Sequence, residues 1–172
     1  LRAMPHLHVL RPADANEVRG SWLAALHYQG PSILVLTRQN LPELSHTALP
    51  YKEGVARGAY ILKKERSKPD FCLFATGSEL SLAFDVALAL EKRDKHVRVV
   101  SVPGGKLFDQ QDDDYKASLL EVDFGKRVSI EAGVSFGWSK FIGEHGISIA
   151  IDDFGLSAPI GDIANEFGFT VD

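Results

Sequence analysis

A single cysteine, Cys72, stands among 172 residues, so no internal disulfide can form. It lies in the apolar run FCLFATG and reads as a small core residue of a chain kept in a reducing compartment; a cytoplasmic location is the expectation. No apolar run is long enough to cross a bilayer, and no signal peptide is evident. Positive charge is not in excess. Nineteen Lys and Arg face 23 Asp and Glu, a net charge of −4, which excludes a global basic field of the kind that gathers nucleic acid. There is no Walker loop, no dinucleotide fingerprint, no nucleophile elbow and no CxxC pair, so the commonest signatures of nucleotide, acyl-transfer and redox chemistry are missing.

What is present is a globular composition, 45% hydrophobic and 24% charged, with apolar material for a real core. The charge is uneven. Residues 1–50 carry four Arg, no Lys and three acids, together with four of the six histidines. The chain begins at Leu1 with residues that already look structured, so a preceding segment is expected.

Strand and helix signals alternate. Leu7 to Leu10 reads as a short strand, broken by Arg11-Pro12. Asp14 is a helix N-cap with Glu17 at capping-box spacing. The helix runs to about Tyr28 with Val18, Trp22, Ala25 and Leu26 on one face. Gly30-Pro31 ends it, and Ile33 to Leu36 reads as a buried strand. Residues 41–56, with two prolines and no period, read as a linker. Beyond it, GAYILKK, FCLFATG, HVRVVSVPG, RVSIEAG and SIAIDDFG read as strands. FCLFATG is the central one, near-continuously apolar as parallel strands are. Ser78 is expected to cap a helix with Leu82, Val86 and Leu90 on one face. DQQDDDYKASLL, GWSKFIGEHG and PIGDIANEFG read as further helices, the first with acids suited to its positive end and the last with Pro159 near its first turn. The predicted fold is α/β: a three-layer α/β/α domain with a mostly parallel sheet, preceded by a strand–helix–strand remnant of a second α/β domain.

Ligands in such sheets gather at the carboxyl ends of strands, which picks out four places. Arg38, with Gln39 and Asn40, follows ILVLT at the end of an apolar strand; its permanent planar cation either is a solvated strand end or awaits an anion such as phosphate. ATGSE, Ala75 to Glu79, resembles a phosphate nest at a helix start, but with one glycine a tight turn and a Ser78 cap explain it as well. Glu131, Asp152 and Asp153 are acids at strand ends that could hold a metal or serve as acid and base; capping or solvation is the alternative. His6 and His8, two apart on a strand, would share a face, a conceivable metal pair that lacks a third ligand.

RPAD, GPSILVLTRQNLP, ATGSE, EAG and FGLSAPIGDIANEFGFT, in this order and spacing, resemble the C-terminal part of transketolase across essentially the whole chain, with Thr37 where that family often has serine. The resemblance implies transfer of a two-carbon ketol unit from a ketose phosphate to an aldose phosphate, carried by thiamine diphosphate held with a divalent cation, Mg or Ca. It implies that Arg38 binds the substrate phosphate and that the full-length enzyme is a homodimer. It implies a division into 1–50, the end of the pyrimidine-binding domain with the start of a linker, and 51–172, the C-terminal domain. The family's Gly-Asp-Gly…Asn motif for diphosphate and metal, and its activating glutamate, are not in these residues. The expectation is therefore a fragment inactive alone, binding no cofactor, with no catalytic, cofactor or metal residue of its own. A dihydroxyacetone synthase is the close alternative, favoured over 1-deoxyxylulose-5-phosphate synthase by TRQNLP. A non-catalytic dimerisation or regulatory ligand-binding module is the alternative of a different class.

Overall fold

The structure is a computed structural model that describes residues 1–44, 51–120 and 126–171. The chain opens with β1 (His8–Leu10), α1 (Ala15–His27) and β2 (Ser32–Leu34). β1 and β2 pair in parallel, His8 opposite Ser32 and Leu10 opposite Leu34. The second strand is shorter and less covered than its sequence suggests: Ser32 to Leu34 are half-buried, and Val35 and Leu36 are exposed.

α2 (Tyr51–Ala56) follows, then β3 (Tyr60–Lys63), β4 (Phe71–Ala75), α3 (Glu79–Glu91), β5 (Val97–Ser101), α4 (Gly105–Asp109), α5 (Asp113–Leu119), β6 (Arg127–Ile130), α6 (Ser139–Ile142), β7 (Ile147–Ile149) and α7 (Ile160–Glu166). The expected linker is thus helical at its end; its middle, 45–50, lies outside the described residues. The sheet order is β3-β5-β4-β6-β7. Only β3 runs antiparallel to its neighbour, so the sheet is mostly parallel with FCLFA at its centre.

Alternation along the strands sorts side chains to two faces. Leu73, Ala75, Val97 and Val99 point to one core, closed by Val55 of α2 and by Leu80, Ala83 and Ala87 of α3. Cys72, Phe74 and Val100 point to the other, closed by Phe108, Leu119, Phe141 and Ile142 of α4, α5 and α6. Helices therefore cover both faces. The buried side of α3 is Leu80, Ala83 and Ala87; Leu82, Val86 and Leu90 are only partly buried against it. Cys72 is fully buried, and burial pushes its thiol up to about 12, so it is an inert core residue.

The two sheets are joined through α1. Its covered side is Glu17, Gly20 and Ser21, not the apolar face read from the sequence; Trp22 and Leu26 are 57% and 74% exposed. A Cβ on Gly20 would come within 2.9 Å of Val55, and one on Gly54 within 2.6 Å of the Tyr60 ring. α1, α2 and β3 thus meet at backbone distance. Asp14 Oδ1 accepts from the Glu17 amide at 2.8 Å. The Glu17 carboxylate reaches back to the Ala13 amide at 2.7 Å, one residue earlier than a capping box requires, and also accepts from the Tyr60 and Ser101 hydroxyls.

Gly54→Ala gains helix propensity of about 1 kcal/mol at most but collides with a ring that is 1% exposed and tethered to Glu17. Overpacking prevails, and denaturant unfolding should show a net loss of about 1–3 kcal/mol. Glu17 gives a pH signature. Burial raises its pKa to about 6 against the hydrogen bonds from Ser101, Ala13 and Tyr60. A raised folded-state pKa means that its stabilisation is complete below the unfolded value near 4.5 and is lost as pH rises through about 6. The stability of wild type minus that of Glu17→Gln should therefore fall by about 2 kcal/mol between pH 4.5 and 7. A flat difference across that window would show that the carboxyl is not held protonated.

Candidate functional site

Two arginines stand at the exits of the two paired strands and have opposite fates. Arg11 leaves β1 with its amide donating to Pro103 O at 2.8 Å. Its guanidinium pairs with Glu79 at 2.6 Å and with Glu131 at 3.1 Å, and donates to Thr76 O at 3.3 Å. It is a structural cation. Arg38 leaves the β2 side. The Val35 amide extends the ladder by one bond to Leu10 O at 2.8 Å. Thr37 Oγ1 then accepts from the Gln39 amide at 3.3 Å, a local side-chain turn that carries the chain off the sheet. Arg38 sits within that turn. It is exposed and makes no hydrogen bond or ion pair among the described residues.

Beside this turn is a pocket of about 250 Å³. Val35, Leu36, Thr37 and Gln39 line it together with Gly77, Ser78, Glu79, Ala132 and Ile160, and Arg38 is not among the lining residues. The structure thus brings ATGSE to the mouth of β2, although the two are far apart in sequence. Gly77 takes φ +60°, and a Cβ there would meet Arg11 Nε at 2.7 Å. Ser78 is not a side-chain cap: it has helical backbone, and its hydroxyl donates to Glu79 Oε1 at 2.6 Å. Glu79 also accepts from the Ala132 amide at 3.0 Å. This turn is therefore engaged by the protein's own groups.

Glu131, at the end of β6, is 4% exposed. It accepts from both Arg2 Nη atoms at 2.5 and 2.6 Å, from Arg11 and from Trp138 Nε1 at 2.8 Å. Burial pushes its pKa up, but Arg2, Arg11 and the Trp138 N–H together outweigh burial and hold the carboxyl below its ordinary value. Asp152 instead accepts from the Ser135 amide at 2.7 Å, and Asp153 from the Phe154 amide. The three acids form no shared site, and among the described residues no group of three or more His, Cys, Asp or Glu could hold a metal. The histidine pair also separates. His8 is buried in β1 and stacks on Tyr28 with centroids 3.4 Å apart; burial, then Lys106, lowers its pKa. His6 lies outside the strand at φ +58°. Sequence reasoning does not mark Arg2, meets Arg11 only as part of the Arg-Pro break after β1, and meets Glu79 only as the last residue of ATGSE, with no sign that these groups pair.

The model of the Transketolase-like TK C-terminal domain matches residues 58–170, and that of the Transketolase, pyrimidine binding domain matches 1–43. The transketolase of Streptococcus pyogenes is 48% identical over 172 residues, covering 99% of this chain and 24% of that protein. The solved structure of transketolase from Leishmania mexicana superposes with a TM-score of 0.88 at 42% identity, over 99% of this chain and 24% of that one. A transketolase from Pichia stipitis, solved in complex with sedoheptulose-7-phosphate, gives 0.88 at 38% identity over the same shares. The chain spans about a quarter of the length of these relatives.

Proposed function

This chain belongs to the transketolase family, and we propose that it serves as the C-terminal quarter of an enzyme moving a two-carbon ketol unit from a ketose phosphate to an aldose phosphate. Residues 1–50 are then the closing part of the pyrimidine-binding domain and 51–172 the C-terminal domain, in a homodimeric enzyme. Exposed Trp22 and Leu26 on α1 and Phe154, 91% exposed, support burial of this surface in something larger. Among the described residues no helix is long and apolar enough to cross a membrane.

Thiamine diphosphate with a divalent cation supplies the carbanion chemistry when bound. Among the described residues no group of three or more His, Cys, Asp or Glu could hold the cation, and Glu131, a buried carboxylate at a parallel strand end, is engaged by Arg2 and Arg11. The part assigned to this chain is positional. Arg38 holds the phosphate at the far end of the sugar, and fixing that end orients the reacting carbons. The observation that carries the reading is the contrast between Arg11, fully engaged, and Arg38, exposed and without a partner among the described residues at the neighbouring strand exit. The planar fork suits two phosphate oxygens at once.

In the full-length enzyme, Arg38→Ala should raise KM for phosphorylated sugars by about 10- to 100-fold, as expected for loss of one charge-assisted contact. Turnover of unphosphorylated analogues should change little, and Arg38→Lys should recover part of the loss. An equal effect on both substrate classes would remove the phosphate role.

A further inference from the structure

We propose that the cleft between β1, α4 and α6 is a second small-molecule site, separate from Arg38, for a monocarboxylate carrying a ring-sized apolar body. Its cavity holds about 170 Å³. Apolar cavities of about 150 Å³ take a benzene-sized guest, so a single ring fits. Leu7, Val9, Val102, Trp138 and Phe141 wall it, and Phe136, 68% exposed, stands among the lining residues.

The charge arrangement selects the head group. Three cations line the cleft: Arg2, Lys106 and Lys140. Arg2 is held by Glu131 in a two-point contact. Lys140 pairs with Asp109 at 2.7 Å and donates to Gly105 O at 3.2 Å. Lys106 alone has no carboxylate partner among the described residues; its bond is to the neutral carbonyl of Met4. One uncompensated positive charge above an apolar cavity suits one negative charge on an apolar body. It does not suit a sugar phosphate, whose hydroxyls would lose their hydrogen bonds against these walls. None of the lining residues is shared with the pocket beside Arg38.

Isothermal titration of the full-length protein with benzoate tests this. Benzoate should bind once per chain, with benzyl alcohol weaker by about tenfold or more because it lacks the charge. Lys106→Met, which keeps an unbranched stem at a partly exposed position, should weaken benzoate by a similar factor. Arg38→Ala should leave it unchanged, so this site and the phosphate reading stand or fall separately. Absence of benzoate heat up to about 10 mM, the weak end of useful affinity, would overturn the proposal. So would equal binding to Lys106→Met, loss of binding in Arg38→Ala, or displacement of benzoate by inorganic phosphate.

Discussion

The Glu131 carboxylate is buried at the end of a strand inside the sheet, and four N–H donors close on it and favour its charged form. Burial alone would push a carboxyl toward the neutral form. Two guanidinium groups and an indole N–H reverse that. The donors come from separate places: Arg2 from the first residues, Arg11 from the exit of β1, Trp138 from the residue just before α6. One acceptor thus fastens the small sheet to the large one. A paired buried ion is not strong evidence of net stability, yet removing one partner from such a set typically costs about 3–5 kcal/mol because a charge is stranded. The arrangement is accordingly all or none.

The same knot decides which cation is available elsewhere. Arg11 needs close passage over Gly77, where any Cβ would strike its side chain and where φ is positive. Its two branches then reach Glu79 and Glu131. With Arg11 fixed inward, the neighbouring strand exit presents Arg38 with no internal acceptor among the described residues. An unengaged guanidinium beside an engaged one is a division of labour by geometry. Both residues are the same type at equivalent ends of paired parallel strands.

Much of the fold was legible because it follows local rules. FCLFATG is apolar at nearly every position and became the centre of the sheet. Asp14 became an N-cap because its carboxylate can reach the amide three residues on. The errors share a cause. Val18, Trp22, Ala25 and Leu26 do form a helical stripe, but periodicity marks a face suited to cover without naming the cover. The side packed here is Glu17, Gly20 and Ser21, and Gly20 is what lets α1 approach Val55 of α2 closely. His6 left the strand by a positive φ that no pattern announces. For the site, Arg38 could be picked out as a cation ending an apolar strand. The role of Arg11 could not, since its carboxylate partner lies 120 residues away and that of Arg2 lies 129 away.

The two anion preferences proposed for this chain would follow from the different surroundings of the two cations. Arg38 is a planar fork in open water, where Coulomb attraction is weak and recognition depends on multiple directed bonds. A phosphate offers those bonds. Lys106 is a point charge lining an apolar cavity, where one carboxylate would suffice and the rest of the affinity would come from burying carbon. Arg2 lines the same cavity but cannot take Lys106's place. Turning it toward a ligand would leave Glu131 with two donors fewer, and burial would then push that carboxyl up toward protonation. The knot that joins the two sheets thus also keeps the cavity to a single free charge.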